Sequence, residues 1–296
     1  MLRKTLVATL TLAFVISNAM AADTAKARKN LSAAEIASKN VAVRGGLQAW
    51  RAVQALSMSG MMGAGGDQRI PVPAIPKGKG ATQMPTNPRL KEEAQLPFRM
   101  EMQRPRKVRF ELQFAGKTAV QVYDGGAGWK LRPYLNRLDV EPYTAEELKL
   151  ASIQTELDGP LVDYAAKGTQ IELAGMEKIE DRDTYRLKLT FKDGRTQNLW
   201  IDADTFLETK VEGQPRRLDG KMHPVEVYYR NYKPVSGLQI PFVLETRVLP
   251  IENANRGAKQ APVQVEKVTI EKVEVNPRLD ASRFTKPTTE MALLRH

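Results

Sequence analysis

Residues 98–114 read FRMEMQRPRKVRFELQF. Phe98, Met100 and Met102 alternate with Arg99, Glu101 and Gln103, and Val108, Phe110, Leu112 and Phe114 alternate with Arg109, Glu111 and Gln113. Period-two alternation belongs to a strand with one buried and one wet face. The Arg104-Pro105 break between the two runs makes them neighbouring strands of a meander.

The pattern continues downstream. Ala115-Gly116-Lys117 and Asp124-Gly125-Gly126 are turns, and Val120, Val122, Trp129 and Leu131 alternate around them. Ser57 to Met62 is a further strand before the meander. After Gly168 come Ile171 and Leu173, then Tyr185, Leu187, Leu189 and Phe191, the hairpin signal Asp193-Gly194, and Leu199 with Ile201. Leu207 to Val211, Val225 to Tyr229 and Ile240 to Leu244 follow. Val268 and Ile270 change phase to Val273 and Val275, which predicts a bulge at Glu271-Lys272. Short turns join about ten or eleven strands, so the sheet is antiparallel.

Two stretches are helical. Ser32 with Glu35 and Thr144 with Glu147 are capping boxes. Residues 31–56 carry one apolar stripe, interrupted by Gly45-Gly46; each glycine costs a helix about 1 kcal/mol. In Thr144 to Gly168, Leu148, Leu157, Leu161 and Tyr164 recur at roughly helical spacing, and Asp158-Gly159-Pro160 breaks the run. This predicts two short helices with a hinge between them. An amphipathic insert between two blocks of strands must cover a sheet face.

The expected fold is α+β and mainly β: an incomplete antiparallel barrel with a helical lid, 144–167, over an apolar concave face. Met100, Met102, Phe110, Leu112, Trp129, Leu187, Leu189, Leu199 and Ile201 are the candidate lining, either as a packed core or as a partly filled cavity. An outer-membrane barrel is excluded, because nearly every strand carries Lys, Arg or Glu on its second face. Residues 63–97 and 251–262 read as polar or Gly/Pro-rich loops, since proline donates nothing to a ladder.

Arg3 and Lys4, an apolar run from Leu6 to Ile16 and Ala19-Met20-Ala21 form a signal peptide, 1–21, leaving a single domain over 22–296. With no cysteine there is no disulfide, no thiolate site and no acylation signal. The expected product is periplasmic and soluble, not a lipoprotein. Net charge is +11. The cations are spread along the strands without interleaved aromatics, which argues against nucleic acid. Two histidines, His223 and His296, and acidic pairs at a loop and a helix start assemble no catalytic motif. The turn residues Asp193, Asp202 and Asp204 form no metal site. No enzyme, cofactor or metal is expected.

Gln103-Arg104-Pro105 with Val108-Arg109-Phe110, then Asp124-Gly125, Trp129 and Pro133, resemble the LolA/LolB lipoprotein-carrier superfamily. Gly159-Pro-Leu-Val-Asp-Tyr164, Gly168, Gly175, Asp202, Leu207, Tyr229, Asn231, Gly237 and Ile240-Pro241 resemble its longer outer membrane lipoprotein-sorting branch. The resemblance implies a half-barrel whose cavity takes lipoprotein acyl chains or other lipid for outer membrane sorting. The partners it implies are an acylated lipoprotein or lipid and membrane proteins of either membrane. The alternative is an RseB-like sensing domain in envelope-stress signalling. The family arginine that holds the lid falls on Arg104, with Leu148, Leu157 and Leu161 on the lid itself.

Overall fold

The computed structural model describes residues 31–65, 93–133, 137–154, 156–218, 220–251 and 264–289. The expected signal peptide, residues 66–92 of the Gly/Pro-rich loop, nearly all of the 251–262 loop and His296 lie outside them. Two helices, α1 (Ala33–Val43) and α2 (Leu47–Ala52), precede six strands: β1 (Ala55–Gly65), β2 (Glu93–Gln103), β3 (Lys107–Phe114), β4 (Lys117–Tyr123), β5 (Gly128–Arg132) and β6 (Arg137–Pro142). Helix α3 (Ala145–Gln154) follows. Seven strands complete the chain: β7 (Gln170–Ile179), β8 (Arg182–Thr190), β9 (Thr196–Asp202), β10 (Glu208–Leu218), β11 (Lys221–Val235), β12 (Leu238–Val248) and β13 (Gln264–Val275).

All thirteen strands form one sheet, ordered β6-β5-β4-β3-β2-β1-β13-β12-β11-β10-β9-β8-β7, and its pairings are antiparallel. The two outermost strands, β6 and β7, are not hydrogen-bonded to each other, so the sheet is an open barrel. The chain therefore forms the mainly β, incomplete barrel that the alternation implied. Strand β6 brings the number above the expected ten or eleven. Residues 93–97, expected in a loop, begin β2 and pair with Met61–Gly65. Pro97 is tolerated there on an exposed position.

Ser59 pairs with Lys272 and Gly60 with Ile270, so Glu271 is the extra residue of a bulge on β13. A Cβ on Gly60 would lie 2.0 Å from the Thr269 carbonyl oxygen, so only glycine fits opposite this bulge.

The main core lies on the concave face. Ile36, Trp50, Leu56, Met58, Phe98, Met102, Leu161, Val162, Tyr185, Leu187, Leu189, Leu199 and Ile201 are buried in one cluster. The convex face has two smaller ones: Val120, Val122, Leu131 and Phe284, with Phe284 supplied by a 3-10 turn at Ala281–Phe284, and Ile179, Trp200 and Tyr228.

Both capping boxes form. Ser32 Oγ accepts from the Glu35 amide while Glu35 Oε2 accepts from the Ser32 amide at 2.8 Å, and Thr144 and Glu147 exchange the same pair of bonds. The Gly45-Gly46 interruption separates α1 from α2. Gly45 has φ +118°, and a Cβ there would stand 2.5 Å from the Gly237 carbonyl oxygen. The inter-helix corner thus packs directly on the β11–β12 turn.

The second lid helix does not form. Residues 157–168 are bends and turns. Asp163 sits at φ +52°, a left-handed conformation through which no right-handed helix continues. One closing turn remains, with the Lys167 amide donating to the Asp163 carbonyl and the Thr169 amide to the Tyr164 carbonyl.

Candidate functional site

The segment after α3 is pinned to the concave face by ions. Asp158 is buried. Its Oδ2 accepts from Arg104 Nη2 at 2.8 Å and its Oδ1 from Lys167 Nζ at 2.8 Å. Its carbonyl oxygen accepts from Arg44 Nη1 at 3.1 Å. Burial works to raise the Asp158 carboxyl, and the bonds from Arg104 and Lys167 more than offset it, holding the group below the usual carboxylate range. Asp158-Gly159-Pro160, expected as a hinge, is therefore the most heavily tied point of the segment.

Arg104 reaches further. Its Nε donates to the Val53 carbonyl at 2.8 Å, and Nη2 also reaches the Trp50 carbonyl at 3.3 Å. One guanidinium thus satisfies the C-terminal carbonyls of α2 and holds the lid carboxylate, using the fixed fork of donors that lysine lacks. A second strap lies beside it: Arg51 grips Asp163 in two parallel bonds of 2.9 and 2.6 Å. Leu161 and Val162, between the straps, plug the core.

Beneath the segment lies a cavity of about 770 Å³. Ile153, Pro160, Phe191, Leu199, Val211 and Pro241 supply apolar wall. Its deep end is polar: Arg44 Nη1 meets Glu208 Oε1 at 3.0 Å, both side chains buried, and Tyr232 Oη donates to Glu208. The Arg44 guanidinium also lies 4.5 Å from the Trp50 ring centroid. Burial, helped by Glu208, pushes the nearby Tyr229 phenol up to about 12 and raises Tyr232 as well, so both keep their protons at neutral pH. Lys192, Arg195 and Asp193 stand at the other end. A smaller space of about 250 Å³, lined by Met102, Arg104, Arg106, Leu157, Asp158 and Lys167, adjoins it.

The residues proposed from sequence are distributed unevenly. Leu199 lines the larger cavity and Met102 the smaller. Leu187, Leu189 and Ile201 are sealed in the main core, with Met100, Phe110 and Leu112 packed on its margin. Trp129 is on the opposite face: it pairs with Val122 and joins the convex cluster under Phe284. On the lid, Leu157 and Leu161 join the core, whereas α3 presents Ser152 and Ile153 to the cavity rather than Leu148. Sequence reasoning missed Arg44, Arg51, Lys167 and Glu208. His223 lies within β11, where its Nδ1 is 2.9 Å from the Leu249 carbonyl oxygen. Among the described residues no group of three or more His, Cys, Asp or Glu is placed to hold a metal ion, and no helix is long and apolar enough to cross a membrane.

No protein-family profile and no curated protein matches the chain. Among solved structures, it is similar to a LolA superfamily protein from Nitrosomonas europaea, at 14% identity and a TM-score of 0.48, over 86% of this chain and 98% of that one. It is similar to a domain from Vibrio parahaemolyticus described as an outer membrane lipoprotein-sorting protein, at 14% identity and a TM-score of 0.47, over 86% and 96%. The Pseudomonas aeruginosa MucA/MucB complex matches at 11% identity and a TM-score of 0.21, over 82% of this chain and 99% of that one.

Proposed function

We propose that this chain is a periplasmic carrier that holds the acyl chain of a lipoprotein or lipid beneath the 144–168 segment, without catalysis. The observation that carries this reading is the cavity of about 770 Å³ on the concave face, roofed by a segment tied down through one buried carboxylate. Its volume falls in the range of about 300–1,000 Å³ usual for small-molecule sites. Each methylene buried in it contributes about 0.8 kcal/mol, so a chain filling only the apolar wall binds firmly. Release requires the roof to lift, and Arg104, Lys167 and Arg44 are the groups that must let go of Asp158. The motifs shared with the lipoprotein-sorting superfamily support the same reading.

Native mass spectrometry of the protein purified from its own periplasm tests it. A copurifying lipid or acylated protein is the expected result. Delipidated protein that takes up no fatty-acyl probe overturns the reading, as does capture of a membrane regulator without any lipid. Arg104→Leu is expected to load and release cargo at altered rates while the sheet stays folded. A variant that transfers cargo normally removes the latch.

A further inference from the structure

Because the sheet is antiparallel, its turns fall on two rims, and the rims differ in chemistry. The β3–β4, β5–β6, β8–β9 and β10–β11 connections open on one rim, together with the first residues of β13. Six large apolar side chains are exposed among the described residues, and four sit on this rim: Phe114 (47%), Leu138 (44%), Met222 (51%) and Val265 (42%). Lys192, Arg217, Lys221 and Lys267 stand exposed there too, and none has an ion-pair partner among the described residues. Register places them together. Arg217 is opposite Met222 and Leu218 opposite Lys221, while Val265 and Lys267 face Arg247 and Glu245 on β12. On the other rim, the β4–β5, β7–β8 and β9–β10 turns carry Asp124, Glu180, Asp181 and Asp204, and the cations of the β2–β3 turn, Arg104 and Arg106, are ion-paired to Asp158 and Glu156. The first rim's exposed acids include Asp139 and Asp193, the latter paired with Arg195.

Exposed apolar residues interleaved with cations that have no ion-pair partner among the described residues, on the rim of a molecule with a net charge of +11, match one kind of partner. The apolar groups gain by entering the interfacial layer of a bilayer, and each cation gains about 1 kcal/mol near an anionic lipid surface. A protein partner would bury large apolar area at a flat core, whereas here the apolar side chains are spaced along a rim with cations between them. We infer that this rim docks on the surface of a membrane rich in anionic lipid, with Phe114, Met222 and Val265 entering the interface and Arg217, Lys221 and Lys267 lying against the head groups. Lys192 and Arg195, which line one end of the cavity, belong to the same rim, so docking brings that end of the cavity to the bilayer.

The test is cosedimentation of the delipidated mature chain with vesicles, one set of phosphatidylglycerol and phosphatidylethanolamine, the other of phosphatidylcholine alone. Binding to the first set, weakened by salt, is expected; absent binding, or equal binding to both sets, overturns the inference. R217E/K221E/K267E should bind far more than about a hundredfold more weakly, because loss of three charges at roughly fivefold each already gives about a hundredfold and the reversal changes six. The neutral R217Q/K221Q/K267Q should lie between that variant and wild type. M222S/V265S should lose affinity that high salt does not mask. K178E/R278E, on the opposite rim, should bind as wild type does. A wild-type affinity in any of the first three, or an equal loss in the last, overturns the assignment of the rim. Circular dichroism confirms that each variant is folded. Because no cargo is present, failure here leaves the carrier reading standing, and failure of probe uptake leaves this one standing.

Discussion

On the concave face, Tyr185, Leu187, Leu189, Leu199 and Ile201 are sealed under Leu161 and Val162, and the buried ions there include the lid ties and the Arg44–Glu208 pair. On the convex face of the same strands, rings and charges alternate in layers. Lys210 Nζ sits 3.9 Å over the Trp200 ring and 2.8 Å from Glu226, and the Arg247 guanidinium lies 4.0 Å over Tyr228. Arg230 grips Glu180 in bonds of 2.7 and 2.8 Å and reaches Glu245 at 3.0 Å. The sheet therefore has a dry face that supplies most of the folding free energy and a wet face covered by long amphipathic side chains laid flat. The charge ties on the dry face gather at Asp158, where Arg44, Arg104 and Lys167 hold the segment after α3 against the sheet.

Removing a dry-face side chain should have the largest effect. Leu187→Ala, at a fully buried position, is expected to cost about 2–5 kcal/mol and to lower the melting temperature by many degrees. A loss similar to that of a convex-face variant would mean that the two faces share the load. The lid ions should come next. Asp158→Asn leaves Arg104 and Lys167 without their shared charge, and bonds to charged groups are worth about 1.5–3 kcal/mol each before allowance for partial exposure. Protection of the 156–168 amides from hydrogen exchange should fall well before that of β8 and β9. Because the folded Asp158 pKa is depressed, its contribution is complete above the unfolded value near pH 4 and is lost as pH falls through the folded value. Wild-type lid protection should thus drop on acidification below about pH 4, and Asp158→Asn should lack that step.

Alternation made most of the strands readable, because one side of each faces the core and the other faces water or ions. The Glu271 bulge was readable for the same reason, as a phase change that a regular strand does not permit. The capping boxes were readable because both partners lie within one turn. What escaped depends on contacts distant in the sequence. Arg44 and the Asp158 carbonyl are 114 residues apart, and a single arginine at a helix end carries no periodic signal. Trp129 fits an alternating pattern, but which face it takes is set by the register of β5 against β4. The second lid helix failed because spacing alone predicted it, while the left-handed backbone at Asp163 interrupts it. The cavity's polar end was missed because Arg44, Glu208 and Tyr232 come from α1, β10 and β11.

The wet face should yield the smallest change, and its pH dependence distinguishes it from the lid. Bonds from Arg230, partly opposed by burial and joined by Arg247, lower the Glu180 carboxyl to about 2. Glu180 is well exposed, so solvent and salt screen the gain, and Glu180→Gln should cost less than about 1 kcal/mol. With a depressed folded pKa, that contribution is present above the unfolded value near 4.5 and disappears as pH falls toward 2. It should also shrink in high salt, whereas the Leu187→Ala loss should not, because apolar burial is not screened. Chemical denaturation of both variants in low and high salt separates the two faces directly. A Glu180→Gln loss that is large and insensitive to salt would show that the convex ion network is a second core rather than a solvated cover.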